Sequence, residues 1–229
     1  MCTSIVSNKG KTVVGWNLDL LGMEHRVVCD GRVCAIEIFD EKEGWMPIFG
    51  ANARGEFSAM PTCWPYDRRS DPSGENDKNV VNLCAELVAM TATFKETVDL
   101  ARAGRVVSVP GTTFQAQLSS GEGAVLQIVP GQGTRYIPRP TYEIMTNFSP
   151  FKGDRAYHPW MGLDRYEKAK ALLEGREYVG VWDCFEILRA ASQTVCPTVV
   201  SMVFDVSART VYYCLDRDWN RVTVRTLSL

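Results

Sequence analysis

The chain has 229 residues, of which 45% are hydrophobic and 23% are charged, so it can bury one substantial core. Its net charge of -2 gives no electrostatic footprint for nucleic acid or for an anionic membrane surface, and we expect neither as a partner. No apolar run approaches the roughly 20 residues that span a bilayer and no signal peptide is evident, so we expect one cytoplasmic domain over residues 1–229.

The chain starts with a thiol directly after the initiator methionine, at Cys2. Removal of Met1 would place an α-amine and a thiol on one residue, and an α-amine has a pKa of about 7.7–8.0. Such an amine can take the proton from the thiol without a histidine, and the thiolate is the nucleophilic form of cysteine. The sequence therefore predicts an N-terminal nucleophile, and the plainer alternative is that Cys2 is an ordinary cysteine.

The residues that follow predict a β-hairpin. Ile5–Val6 and Thr12–Val14 are β-prone and flank a turn at Ser7–Gly10. Because a hairpin returns the chain beside its own start, Asp19 is expected close to Cys2. Its carboxylate could then hold the ammonium form of the Cys2 amine through a charge-assisted hydrogen bond.

Two short runs near the start are distinctive, Cys2-Thr3-Ser4 and Gly15-Trp16-Asn17-Leu18-Asp19. They resemble the choloylglycine hydrolase family of linear amide C–N hydrolases and the related penicillin acyltransferases. The resemblance implies an α+β fold, a four-layer αββα sandwich of two antiparallel sheets (the N-terminal nucleophile hydrolase fold). It also implies cleavage of a small-molecule amide without cofactor or metal. Trp16 stands where the bile-salt hydrolase branch has Arg, which argues against a bile-salt substrate.

The other seven cysteines are interpreted as structural. They form no C-x-x-C pair, and only His25 and His158 could join them around a metal, so a zinc site has weak support. Cys29 and Cys34 are expected to be free thiols that pack as small hydrophobes. The scarcity of histidine also disfavours a Cys-His or Ser-His catalytic pair, which an amine-assisted nucleophile does not need.

The rest of the chain predicts strands and helices in alternating groups. Short alternating runs predict a meander of strands at 26–29, 33–39 and 46–49. Residues 79–104 predict two helices, with Thr93 or Thr97 as the cap of the second. The remaining predictions are a strand at 106–109, a hairpin over 114–118 and 124–129, helices at 162–175 and 182–192, and strands at 198–205, 210–215 and 221–224.

The segment after the meander is where the family places a backbone amide of its oxyanion hole. The resemblance assigns that amide to Cys63 or to its neighbour Thr62, because the usual Asn is not matched. An apolar acyl pocket is expected here, although large apolar residues are more often plain core. The residues expected to contact the substrate are Trp16, Phe57, Met60, Cys63 and Trp64.

Two later positions match the family in the same order. Thr146-Asn147 follows a predicted strand, and the resemblance implies that the Asn147 amide donates to the tetrahedral oxyanion. Arg165 opens a predicted helix, and the resemblance implies that it supports the nucleophile electrostatically. The alternatives are a turn Asn before Ser149-Pro150 and a solvent-facing helix Arg.

Together these features predict hydrolysis of a linear amide by Cys2 after loss of Met1, with Asp19, Asn147 and Arg165 as the other catalytic residues. Two alternatives stay open. One is acyl transfer to an amine acceptor, and the other is a non-catalytic binding protein on the same fold. Dimers and tetramers are common in the resembling family, and the sequence leaves the oligomeric state open.

Overall fold

The computed structural model of the chain describes residues 1–42, 44–63, 74, 77–109, 113–151 and 161–229. Its elements, in chain order, are β1 (Cys2–Ser7), β2 (Val13–Asp19), β3 (His25–Cys29), β4 (Val33–Asp40), β5 (Gly44–Asn52), β6 (Phe57–Ala59), β7 (Lys78–Asn79), α1 (Val80–Val88), α2 (Phe94–Arg102), β8 (Val106–Val107), β9 (Ala116–Ser119), β10 (Val125–Val129), β11 (Gly133–Ile137), β12 (Tyr142–Met145), α3 (Leu163–Glu174), α4 (Val181–Ala190), β13 (Thr198–Asp205), β14 (Thr210–Leu215) and β15 (Thr223–Thr226).

Two antiparallel sheets carry most of these strands. The first sheet has the order β12-β1-β2-β13-β14-β15 and the second has the order β11-β10-β9-β6-β5-β4-β3. The short strands β7 and β8 pair separately, in parallel. The N-terminal strand is therefore an interior strand of the first sheet, hydrogen-bonded on both sides.

The two faces of the first sheet are both buried, which explains why β1 and β2 have no exposed residue. On one face Val6 and Trp16 join a core cluster shared with the second sheet. On the other face Ile5 and Val13 pack in a second cluster with Leu188 and other residues of α3 and α4. Since α1 packs on β5 and β6 of the second sheet, the layers follow the order helix, sheet, sheet, helix, as predicted.

Local signals in the sequence placed most elements correctly. The first hairpin pairs Val6 with Val14 as expected, and Thr93 rather than Thr97 caps α2 through a capping box with Glu96. The strand β11 was missed, because its five residues form a half-exposed outer strand beside β10 with no apolar alternation. Edge strands of this kind carry a weak pattern because only part of each face is buried.

The expectation of free thiols at Cys29 and Cys34 is wrong, because these residues form a disulfide. The register of β3 and β4 places them directly opposite each other, with Cα atoms 4.1 Å apart. Cross-strand neighbours at that separation fall within reach of a disulfide. A spacing of five residues in the sequence does not reveal the register that brings them together.

Two features are absent from the described residues. No helix in these ranges is both long and apolar enough to cross a bilayer. Among the same residues, no group of three or more His, Cys, Asp or Glu side chains is arranged to hold a metal ion.

Candidate active site

The candidate nucleophile is Cys2, the first residue of β1. Its thiol belongs to the core cluster shared by the two sheets, and only 5% of the residue is exposed. Its main-chain N–H donates to Asn147 Oδ1 at 2.9 Å. Met1 continues the strand, because its ammonium donates to the main-chain oxygen of Asp19 at 2.6 Å and its carbonyl accepts from Asp19 N at 2.8 Å.

Burial raises the pKa of the Cys2 thiol to about 11. The N-terminal ammonium, the Arg165 guanidinium and a backbone hydrogen bond at Asp19 oppose this effect, and the Asp19 carboxylate adds to it. The thiol is consequently protonated at neutral pH, and a nucleophilic role requires a base at the site. Because Met1 occupies the N terminus here, the amine that could serve as this base is not yet on Cys2.

The Arg165 guanidinium connects the N terminus to the rest of the site. This residue lies in the first turn of α3 and is 1% exposed, so it is not a solvent-facing helix residue. Its Nη1 donates to the Cys2 carbonyl oxygen and lies 3.3 Å from Asp19 Oδ2. Its Nη2 donates to Asn147 Oδ1 at 2.7 Å. One cation therefore holds the carbonyl of the nucleophile, the carboxylate and the candidate oxyanion donor.

A glycine makes room for this guanidinium. Gly162 precedes α3 with a φ of 101°, a left-handed conformation that favours glycine. A Cβ at this position would lie 2.7 Å from Arg165 Nη2 and 3.0 Å from Thr146 Oγ1. Neither neighbour can retreat easily, because both side chains are buried. Gly162 thus permits the close approach of α3 to the residues before Asn147.

Asp19 ends β2 with its carboxylate completely buried. Burial raises its pKa, and the charge of Arg165 and hydrogen bonds from Thr198 and Gln193 oppose that rise. Thr198 Oγ1 donates to Oδ1 at 2.5 Å, and Gln193 Nε2 donates to Oδ2 at 2.6 Å. The sequence predicted a carboxylate near Cys2 but did not identify either of these two donors.

Asn17, two residues before Asp19 in β2, makes its side-chain hydrogen bonds outside the candidate site. Its Nδ2 donates to the Leu188 carbonyl at 2.7 Å, and its Oδ1 accepts from Ser201 Oγ at 2.7 Å. These bonds tie β2 to α4 and to β13. Asn17 is therefore a structural residue, which anchors the strand that carries Asp19.

Asn147 follows β12 and is completely buried. Besides accepting from Cys2 and Arg165, it donates through Nδ2 to the carbonyl oxygen and to Oγ1 of Thr62, both at 2.8 Å. It is thus not a plain turn residue. Gln115, which the sequence did not single out, donates through Nε2 to the Thr146 carbonyl at 2.7 Å and helps to fix this segment.

The loop expected to supply a backbone amide lies beside Asn147. The amide of Cys63 donates to the Thr113 carbonyl at 2.7 Å. Thr62 and Phe114 form an antiparallel bridge flanked by hydrogen bonds on both sides, so the N–H and C=O of Thr62 point away from Phe114. The C=O of Thr62 meets Asn147, and its N–H faces the same side without an acceptor among the described residues.

The residues expected to line an acyl pocket are buried between the sheets. Trp16 is fully buried and stacks on Phe49 with ring centroids 5.0 Å apart. Phe57 meets Phe49 edge to face at 4.6 Å, and Met60 is 1% exposed. These contacts are those of a packed core, and contact with a substrate stays a prediction for them. Trp64 lies outside the described residues.

Comparison by sequence alone matches no family profile and no curated protein. Comparison of structures does find similar proteins. A mutant conjugated bile acid hydrolase from Clostridium perfringens has a TM-score of 0.71 and 13% identity, over 99% of this chain and 92% of that one. Penicillin V acylase from Agrobacterium tumefaciens has a TM-score of 0.65 and 12% identity, over 98% and 84%. A Caenorhabditis elegans ortholog of N-acylethanolamine-hydrolyzing acid amidase has a TM-score of 0.59 and 17% identity, over 90% and 93%.

These similar structures cover nearly the whole chain and contain the same two-sheet sandwich. Their names describe hydrolases and an acylase, in agreement with the group that the sequence resembles. At 12–17% identity the comparison concerns the fold, and it adds no substrate. The chain therefore has the N-terminal nucleophile hydrolase fold that its first nineteen residues predicted.

Proposed function

We propose that the protein is an amidohydrolase that cleaves a linear amide C–N bond through an acyl-enzyme on Cys2 after removal of Met1. The observation that carries this proposal is the environment of the Cys2 nitrogen. It lies 2.9 Å from Asn147 Oδ1, and Arg165 holds the carbonyl of the same residue. Loss of Met1 would turn this nitrogen into a free α-amine beside its own buried thiol.

The reaction begins with proton transfer within one residue. The α-amine, with an ordinary pKa of about 7.7–8.0, takes the thiol proton and becomes ammonium. The thiolate attacks the amide carbonyl and forms the C–S bond of a tetrahedral intermediate. The Asp19 charge interacts with the N-terminal ammonium of Met1, and the same charge would favour the ammonium form of the Cys2 amine.

The negative oxygen of that intermediate needs preorganised donors. Asn147 Nδ2 and the Thr62 N–H are assigned this role, because the Thr62 N–H points to the side of the loop on which Asn147 lies and Asn147 also bonds Cys2. In this scheme one N–H of Asn147 Nδ2 gives up its hydrogen bond to Thr62 Oγ1 and donates to the oxyanion instead. One such donor contributes roughly 2.7–4 kcal/mol to the transition state. The Cys63 amide is engaged with Thr113, so the second donor is assigned to Thr62.

The acyl-enzyme then forms and is hydrolysed. The ammonium gives its proton to the leaving nitrogen as the C–N bond breaks, which leaves a thioester on Cys2 and a free amine product. Water attacks the thioester, and the α-amine takes a proton from that water. The C–S bond then breaks, the carboxylic acid is released, and the ammonium returns its proton to the Cys2 sulfur. An amine acceptor in place of water would make the same enzyme an acyltransferase.

The structural neighbours support this class of substrate. Their names describe hydrolysis of a conjugated bile acid and of an N-acylethanolamine and acylase action on penicillin V. In these compounds a small molecule carries a linear amide. Trp16, in the position of the Arg of bile-salt hydrolases, supports a substrate other than a bile salt. The cytoplasmic location and the single-domain organisation stay predictions.

The test compares two N-terminal forms of the purified protein, made from a cleavable fusion that leaves either Cys2 or one added residue at the N terminus. Each is checked by intact mass and assayed against a panel of fluorogenic acyl amides. We expect turnover only with a free Cys2, and none in Cys2→Ala. Cys84→Ala is the matched control, because Cys84 is also a buried free cysteine. Turnover that survives in Cys2→Ala would reject the mechanism.

A further inference from the structure

The carboxylate of Asp19 is held by the two ends of one loop. This loop, residues 193–198, leads from α4 to β13. Thr198 Oγ1 donates to Oδ1 at 2.5 Å, and Gln193 Nε2 donates to Oδ2 at 2.6 Å. Both distances are short for hydrogen bonds, as expected for bonds to a charged acceptor.

The same two residues also bind each other. Gln193 N donates to Thr198 Oγ1 at 3.0 Å, and Thr198 N donates to the Gln193 carbonyl at 3.1 Å. These reciprocal bonds close the loop, whose tip residues Thr194 and Val195 are exposed. The Thr198 hydroxyl thus accepts from one backbone N–H and donates to the carboxylate, so its orientation is fixed.

A bulge aims Thr198 at this carboxylate. Thr198 pairs with Asp19, but Val200 pairs with Leu18, so the register of β13 against β2 shifts between them. A bulge of this kind redirects a side chain and is common next to active sites. At the end of β2, Thr198 consequently points toward the helix-facing side on which Asp19 and Arg165 meet.

The charges around Asp19 explain why such support is needed. The groups that face it are the Arg165 guanidinium, the N-terminal ammonium and the Cys2 thiol. Arg165 Nη1 is shared among Asp19, the Cys2 carbonyl and Thr3 Oγ1. A buried carboxylate whose ion-pair partner is shared in this way is costly unless its remaining oxygen lone pairs are satisfied by other donors.

We infer that Thr198 and Gln193 are positioning residues, which hold Asp19 charged and fixed so that Arg165 keeps Cys2 and Asn147 in place. They act through Asp19 and touch no reacting atom. This inference rests on the proposed function, because it gives Asp19 a task in the amide-cleaving site. It can be tested separately from that function, because the ionisation of Asp19 is measured directly and does not require turnover.

The test is a carboxyl ¹³C NMR titration of Asp-labelled protein, with the Asp19 signal assigned by its loss in Asp19→Asn. Thr198→Val removes the hydroxyl and keeps the shape of the side chain. We expect the midpoint for Asp19 to move to higher pH by about one to two units, the amount that one hydrogen bond to a charged group supplies. Thr198→Ser restores the hydroxyl and the wild-type midpoint. Thr194→Val, at the exposed tip of the same loop, leaves it unchanged.

A second variant covers the case in which Thr198→Val does not fold. Gln193→Met removes the other donor at a half-buried position and is expected to move the midpoint in the same direction. The pH profile of amide turnover, measured on the same samples, should shift its acid limb in parallel. A folded Thr198→Val or Gln193→Met protein with an unmoved Asp19 midpoint overturns the inference. Absence of turnover in the wild type rejects the proposed function instead and leaves the NMR result readable.

Discussion

Replacement of Arg165 by Met tests whether a single guanidinium organises the site. Methionine keeps a long flexible side chain in place but removes every donor. The Asp19 carboxylate then loses the cation at 3.3 Å, and Asn147 Oδ1 loses a donor at 2.7 Å. Both acceptors stay buried, so water cannot replace the lost hydrogen bonds without opening the packing of α3.

The expected loss of stability is large. Removal of one partner from a buried ion pair costs about 3–5 kcal/mol, because the other charge stays buried without compensation. That cost is a substantial share of the free energy of unfolding of an ordinary domain, which is about 5–15 kcal/mol. The Asp19→Asn change removes the uncompensated charge. The double variant Asp19→Asn/Arg165→Met should therefore be more stable than Arg165→Met alone.

Urea unfolding, followed by far-UV circular dichroism and by tryptophan fluorescence, measures these free energies in a double-mutant cycle. Lys170→Met is the matched control, since Lys170 is on the same helix and pairs with Glu174 at 3.9 Å at the surface. It should leave the unfolding midpoint close to that of the wild type. A cost below about 1 kcal/mol for Arg165→Met, the range of exposed ion pairs, or no recovery in the double variant would refute the reasoning.

Two further predictions concern the thiol and the glycine beside Arg165. Because burial raises the pKa of Cys2 to about 11, the form that retains Met1 should be alkylated slowly at neutral pH, and its alkylation rate should rise about tenfold per pH unit below that value. The form with a free Cys2 amine should instead react near neutral pH. Alkylation is measured by mass spectrometry of the N-terminal peptide, and identical pH profiles for the two forms would contradict the role of the amine. Gly162→Ala should lower the free energy of unfolding by about 1–3 kcal/mol, since it combines a positive φ with overpacking against Arg165. Gly22→Ala is its control, because Gly22 also has a positive φ but nothing within 4 Å of the added Cβ, and equal losses in the two variants would exclude steric pressure on the guanidinium.

Local patterns in the sequence were sufficient for most of the fold. The turn after Ser7 and the β-prone runs on either side of it determine a hairpin, and the apolar spacing of residues 79–104 determines two helices, because these structures depend on neighbours within a few residues. The same hairpin brought Asp19 back to Cys2, as predicted. The position of Cys2 at the start of a strand follows from the same local information.

The electrostatic support of the site could not be obtained in this way. Thr198 and Gln193 lie more than 170 residues from Asp19 in the chain, and nothing near them marks them as partners of a carboxylate. The exposure of Arg165 was likewise undetermined, because a helix that carries a cation in its first turn can face solvent or protein. The close packing of α3 against β1 buries Arg165, and this packing depends on the absence of a side chain at Gly162.

Some properties of Cys2 are likewise set by the sequence and others by the tertiary structure. Its place next to the initiator methionine is a property of the sequence, and so is the amine that would appear on removal of Met1. The raised pKa of its thiol comes from burial between two sheets. The hydrogen-bonding groups around Cys2 come from three separate parts of the chain, which are the segment after β12, the helix α3 and the loop that contains Thr62. Proximity along the chain supplies the nucleophile and its amine, whereas the burial that keeps the thiol protonated and the long-range hydrogen bonds that hold Cys2 in place exist only once the sandwich has assembled.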